Sequence, residues 1–210
     1  MNILIVLAGS PPSKTLLKTE MSVADLVVAV DGGFNIFPKY KLVPDLLLGD
    51  MDSVNNDEND SIEVHLLMDQ DQTDLQKTLH YLQDAYPVKS LTLLGAGGQR
   101  TDHLLHNLHI CATLEPSINV IIKNEIEDES TIEMIQRVTP QRGFDLRVKK
   151  GTTLSILPIG DFKNLNSHGL KWEIVNQDRS ATFISQSNLA IKDDPTFNIR
   201  SGCAYIAVYQ

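Results

Sequence analysis

The pattern of apolar residues changes character once along this 210-residue chain, and that change limits the fold more than any other feature. Up to about residue 125, short runs rich in Val, Ile and Leu alternate with helical patterns. The runs at 3–7, 26–30, 46–48, 64–67, 91–94 and 120–122 read as buried strands. Leu75, Leu79, Leu82 and Tyr86 recur at helical spacing behind Thr73, a fitting N-cap, and Leu104, Leu105 and Leu108 share a face with Cys111 or Ala112 in a helix over 102–112. Strand and helix in alternation imply a mostly parallel sheet covered on both sides. After Lys123-Asn-Glu-Ile-Glu-Asp-Glu-Ser130 the helical period is lost. Short β-type runs at 132–138, 144–148, 154–157, 172–175, 181–184, 196–199 and 204–209 follow, separated by polar, Gly, Pro and Asn turns. The expected architecture is an α/β N-terminal domain over 1–125, then an all-β sandwich C-terminal domain over 126–210.

Hydrophobic residues make up 42% of the chain, enough for a core in each domain. The balance of 18 Lys and Arg against 27 Asp and Glu gives a net charge of -9, which disfavours nucleic acid and anionic membrane as partners. No apolar stretch approaches the roughly 20 residues needed to cross a bilayer, and the opening apolar run lacks the basic flank of a secretion signal. A cytoplasmic protein is expected. Cys111 and Cys203 form no CxxC pair and read as small core residues. The acidity is concentrated, with 7 basic and 15 acidic residues in the first 110 positions.

Those acids gather where strands end. Gly49-Asp50-Met51-Asp52 presents two carboxylates at i, i+2 spacing, and Asp69-Gln70-Asp71-Gln72-Thr73-Asp74 adds three more, with Lys77 one turn into a helix. Two unit charges about 4 Å apart repel by about 4 kcal/mol at an effective dielectric near 20, so such a group calls for a counter-cation or raised pKa values. Hard oxygen donors suit Mg²⁺, which takes one or two carboxylates and fills its shell with water and phosphate oxygens. Asp50, Asp52 and Asp74 are the expected metal ligands. A solvated acidic loop with an ordinary helix cap is the competing reading of either segment alone. Gly95-Ala96-Gly97-Gly98-Gln99-Arg100-Thr101-Asp102-His103 is a glycine-rich passage from strand to helix, suited to an anion at the helix start. Arg100 there suits bidentate phosphate contact. No P-loop, GxSxG or HExxH pattern occurs.

Together with Asp31-Gly32-Gly33 and the nearby Asn35, these segments resemble the thiamine pyrophosphokinase family in order and spacing. Gly169-Leu170-Lys171-Trp172 and Ser185-Gln186-Ser187-Asn188 are similar to its thiamine-side segments, with Gln186 where Thr is usual. The resemblance implies transfer of the terminal pyrophosphoryl group of ATP to the hydroxyl of thiamine, giving thiamine diphosphate and AMP, by a homodimer whose sites draw on both subunits. It implies catalytic roles for Asp50, Asp52, Asp71, Asp74, Lys77 and Asp102. ATP contacts are expected from Asp31, Gly32, Gly33, Asn35, Gly97, Gly98 and Arg100. Thiamine contacts are expected from Trp172, Ser185, Ser187 and Asn188. Two alternatives compete: a Mg²⁺-dependent kinase or phosphohydrolase acting on another small alcohol, and a non-catalytic thiamine- or nucleotide-binding module.

Overall fold

Five of the six apolar runs of the first part become strands of one parallel sheet: β1 (Asn2–Val6), β2 (Leu26–Val30), β3 (Leu46–Gly49), β4 (Glu63–Leu66) and β5 (Ser90–Leu94). The structure is a computed structural model that describes residues 1–50, 62–69, 71–98, 100–126, 131–180, 182–183 and 185–210. Its contacts divide the chain into two units, Met1–Ile110 and Cys111–Gln210. In the first unit the strand order is β5-β1-β2-β3-β4. The central strands read as continuous apolar runs because layers cover both faces; all five residues of β2 are buried. Between strands lie α1 (Lys14–Met21), α2 (Ile36–Tyr40) and α3 (Asp74–Ala85), with α4 (Thr101–Ala112) after β5.

The expected helices at 75–86 and 102–112 are present. The sequence reading missed α1 and α2, which are too short to show a helical period; α2 spans five residues with Pro38 inside and follows a 3₁₀ turn over Asp31–Asn35. The strand order matters for function. From β1 the chain steps one way through β2, β3 and β4, then places β5 on the opposite side of β1. The connections leaving β1 and β5 therefore diverge, which opens a crevice at the carboxyl ends of these two strands.

The second unit holds an antiparallel sheet in the order β11-β8-β14-β7-β6, built from β6 (Asn119–Ile126), β7 (Thr131–Val138), β8 (Thr153–Leu157), β11 (Ser185–Leu189) and β14 (Ala204–Tyr209). Two small ribbons pair β10 (Asn166–His168) with β12 (Thr196–Asn198), and β9 (Phe162–Lys163) with β13 (Ser201–Gly202). Val138, Leu154, Ile156 and Ile206 from the sheet share one core with Phe162, Leu165, Leu170 and Phe197 from the other layer, the packing of a β-sandwich. The texture of the sequence changes near 125, whereas the contacts divide the chain at Ile110. The 120–122 run goes with the second unit because β6 pairs antiparallel with β7 from Ile121 opposite Gln136 to Ile126 opposite Thr131.

Two expected strands are absent. Over 144–148, the amides of Asp145 and Leu146 donate to Gln136 Oε1 and that of Val148 to Asp194 Oδ1. Over 172–175, the Trp172 amide donates to Asn188 Oδ1 and the Ile174 amide to Ser167 Oγ. Side chains take the backbone donors that a ladder would have used, so these apolar runs pack without becoming strands. The expected strand over 181–184 includes Ala181 and Ile184, which lie outside the described residues.

Candidate active site

A cavity of about 600 Å³ opens at the diverging ends of β1 and β5. Leu7, Ala8 and Gly9 enter it from β1, and Gly95, Ala96 and Gly97 from β5. The two loops are stitched together, the Gly9 amide donating to Gly95 O at 2.9 Å and the Ser10 amide to Gly97 O at 2.9 Å. Asn107 on α4 donates to Ala96 O at 2.8 Å and fixes the glycine turn from the helix side.

One wall is charged. Asp31, Asp50, Asp74 and Lys77 line it, with Thr73 and Gln72 beside them. The sequence places Asp74 and Lys77 on the first turn of α3, because Thr73 caps that helix in a box with Gln76: the Gln76 amide donates to Thr73 Oγ1 and the Thr73 amide to Gln76 Oε1. Lys77 Nζ lies 2.8 Å from Asp74 Oδ1 and donates to Leu67 O at 3.1 Å. Its side chain is 5% exposed. Burial pulls the ammonium down, but the hydrogen bond to Asp74 and the charges of Asp74, Asp50 and Asp31 outweigh burial and hold it above its ordinary value. The cluster meant to bind a cation thus already holds one, supplied by the protein.

The opposite wall is the start of α4, with Arg100, Asp102, His103 and His106. Arg100 Nε and Nη2 donate to Asp102 Oδ1 and Oδ2 at 3.1 and 2.5 Å, and the His103 amide also donates to Asp102 at 3.0 Å. The hydrogen bond from Arg100 lowers the Asp102 carboxyl below its usual range, and the pairing raises the guanidinium in turn. Sequence reasoning gave these two residues separate duties, yet they form one bidentate pair. His103 and His106, which are not among the expected site residues, both line the cavity. Their spacing of three residues on α4 was the available signal. The Leu7-Ala8-Gly9 wall was missed because the order of parallel strands, which alone marks it, cannot be read from the apolar runs.

The remaining expected residues fall in several places. Asp52 lies outside the described residues. Asp71 is exposed and outside the cavity lining, its amide donating to Asp69 Oδ1. Gly32, Gly33 and Asn35 line a smaller cavity of about 230 Å³ that shares Leu7, Ala8 and Gly9 with the large one. Gly33 is required by the protein itself, since a Cβ there would overlap the carbonyl of Val6. Gly97 lines the main cavity and Gly98 follows it in the same turn.

In the second unit, a cavity of about 540 Å³ is lined by Trp172, Phe183, Thr182 and Ser185, among others. Trp172 is 57% exposed, so it is not a core tryptophan. Lys171 Nζ sits 4.6 Å from its ring centroid. Asn188 is buried and engaged with the chain: its Oδ1 accepts from the Trp172 and Leu189 amides and its Nδ2 donates to Trp172 O at 2.8 Å. Asn188 therefore holds the tryptophan's backbone. Ser187 has a left-handed φ of 53° at an irregularity in β11, and its amide donates to Ser155 Oγ.

A parallel α/β unit with a charged cleft at its switch point, followed in one chain by a β-sandwich, defines a two-domain protein that takes a small ligand at the sheet's carboxyl edge. Residues 17–122 match the family model for the thiamin pyrophosphokinase catalytic domain, and residues 137–204 match that for the thiamin pyrophosphokinase vitamin B1 binding domain. The chain belongs to the thiamin pyrophosphokinase family. It is 29% identical over 219 residues to thiamine pyrophosphokinase 2 of Arabidopsis thaliana, covering 89% of this chain and 78% of that protein. Its fold matches the crystal structure of thiamine pyrophosphokinase from Bacillus subtilis with a TM-score of 0.75 at 22% identity, over 99% of this chain and 98% of that one. The yeast thiamin pyrophosphokinase structure gives a TM-score of 0.75 at 16% identity, over 100% and 86%.

Proposed function

We propose that this protein is a thiamine pyrophosphokinase, transferring the terminal pyrophosphoryl group of ATP to the hydroxyl of thiamine. The observation that carries this reading is the match of the catalytic and vitamin B1 binding family models, in that order along one chain. Phosphoryl-type transfer depends mainly on alignment and charge neutralisation, and the main cavity supplies groups for both. Among the described residues Lys77 has two partners, so one of its three N–H donors remains for a phosphate oxygen. Arg100 keeps Nη1 for the same purpose, since Nε and Nη2 hold Asp102.

In this reading the thiamine hydroxyl oxygen attacks the β-phosphorus. The bond from that phosphorus to the oxygen bridging to the α-phosphorus breaks, and AMP leaves with its electron pair. The hydroxyl proton needs an acceptor. Asp74 and Asp102, both on the cavity wall, are the carboxylates placed for the task. Trp172 offers a ring that is 57% exposed, and a flat cationic heterocycle would stack on it in place of the Lys171 ammonium.

Asp50 and Asp74 are hard donors on the wall of one cavity and fit a Mg²⁺ ion, which needs only one or two carboxylates. Among the described residues no three His, Cys, Asp or Glu side chains form a ready cage. When bound, the ion supplies charge neutralisation on the transferred group. A homodimer is part of the proposal, on the resemblance to the family, as is a cytoplasmic setting, which suits ATP as donor and the free thiols Cys111 and Cys203.

The reading is tested by product analysis. Incubation with ATP, Mg²⁺ and thiamine is expected to give AMP and thiamine diphosphate in equal amounts. ADP or free phosphate as the product, or no AMP above a thiamine-free control, overturns it.

A further inference from the structure

Asp31 stands out within the charged wall because its backbone adopts a conformation uncommon outside glycine. It follows β2 directly, yet takes a left-handed φ of 44° at the start of the 3₁₀ turn. Such a conformation costs a non-glycine residue energy and persists where the surroundings demand it. The side chain is 6% exposed and reaches sideways over the neighbouring strand. Val30 is paired with Leu48 in the sheet, so the next residue along each strand, Asp31 and Gly49, are neighbours. A Cβ on Gly49 would overlap the Asp31 carboxyl group, both oxygens included. The carboxylate therefore occupies the place a side chain at position 49 would have taken.

A chain of contacts leads from there to the reactive wall. The Gly49 carbonyl accepts the Leu67 amide at 2.8 Å, the Leu67 carbonyl accepts Lys77 Nζ at 3.1 Å, and Lys77 holds Asp74 at 2.8 Å. Gly49 also fixes where the chain leaves β3, and the next residue is Asp50. Four elements, β2, β3, the end of β4 and α3, are thus tied through one carboxyl group and the backbone beside it.

We propose that Asp31 is a positioning residue, whose carboxylate packs in place of a Gly49 side chain and sets the placement of Asp50 and, through Gly49 and Leu67, of Lys77 and Asp74. The inference rests on the pyrophosphoryl-transfer reading for its effect on rate, but the contact it describes does not. Asp31 and Gly49 are coupled by shape, and Asp31 and Lys77 by charge. These two links fail under different substitutions.

The experiment compares the full-length protein with Asp31→Asn, Gly49→Ala, Asp31→Gly and the double variant Asp31→Gly/Gly49→Ala, by thermal unfolding and by steady-state AMP formation. Asp31→Asn keeps the shape and removes the charge. Asp31→Gly removes both and is expected to lose about a hundredfold in kcat with no change in KM for thiamine, as a misplaced reactive group would, and Asp31→Asn to lose clearly less. Gly49→Ala is expected to lower Tm by about 5 °C or more through overpacking. In the double variant the collision is gone but the positive φ of 149° at Gly49 still strains the alanine, so Tm recovers in part towards that of Asp31→Gly while kcat stays low. A folded Asp31→Gly protein with wild-type kcat, or an Asp31→Asn protein as impaired as Asp31→Gly, overturns the positioning role. Tm losses that add, with no recovery in the double variant, overturn the contact. A wild-type protein that forms no AMP sinks the activity instead, and the Tm coupling then still decides whether Asp31 fills the Gly49 site.

Discussion

Asn188, expected from sequence to contact the ligand, is engaged with its own chain. Its position beside Trp172 in the fold was not visible, so an exposed hydrogen-bonding role towards the ligand was the natural expectation. The structure uses the amide on the chain: Oδ1 takes the Trp172 and Leu189 amides and Nδ2 reaches Trp172 O with one of its two N–H groups. An amide has enough donors and acceptors to clamp a neighbouring peptide unit from both sides. Removing it strands buried backbone groups, at about 1–3 kcal/mol for each left unsatisfied. Asn188→Ala is therefore expected to lower Tm by several degrees and to raise KM for thiamine. Trp172→Ala, which removes a ring 57% exposed, should raise that KM with little change in Tm. Differential scanning fluorimetry with steady-state kinetics separates the two. An Asn188→Ala protein with wild-type Tm and raised KM would return the amide to direct ligand contact.

At the scale of elements, legibility followed the source of the hydrogen bonds. The helix α3 could be read because its pattern is local: Thr73 and Gln76 close its first turn, and Leu75, Leu79 and Leu82 are buried at helical spacing. The runs at 144–148 and 172–175 looked like strands but have their amides taken by Gln136, Asp194, Asn188 and Ser167, partners that no local pattern reveals. Position 73 links an element to chemistry, since Asp74 and Lys77 are carried on the turn it caps. Thr73→Ala is expected to cost about 1 kcal/mol, or about 2–4 °C in Tm for a chain of this size. It should also lower kcat, while Thr73→Ser restores both. Equal kcat in a Thr73→Ala protein with reduced Tm would show that the first turn holds its place without the cap.

For the molecule as a whole, the net charge of -9 and its concentration in the first half were readable, and so was the succession of α/β and all-β texture. The answer to the charge was readable only in part, because Lys77 lies one helical turn from Asp74 but is brought to Asp31 and Asp50 by the parallel order of the strands. One ammonium among three carboxylates leaves the wall negative, and that remainder is what a Mg²⁺ ion bound with ATP would neutralise. A ligand that binds only the folded state raises stability by about 2.7 kcal/mol at a hundred times its Kd, so Mg²⁺ with ATP is expected to raise Tm of the wild-type protein. Asp50→Asn removes a repulsive charge as well as a ligand. Its Tm without metal should equal or slightly exceed that of the wild type, its Mg²⁺-dependent rise should shrink, and its turnover should fall by orders of magnitude. Calorimetric unfolding at stepped Mg²⁺ concentrations, with and without ATP, reads all of this except turnover. If Asp50→Asn instead unfolds more easily in the absence of metal, the carboxylate is there to balance Lys77, and the acidity of this half of the chain is structural in origin.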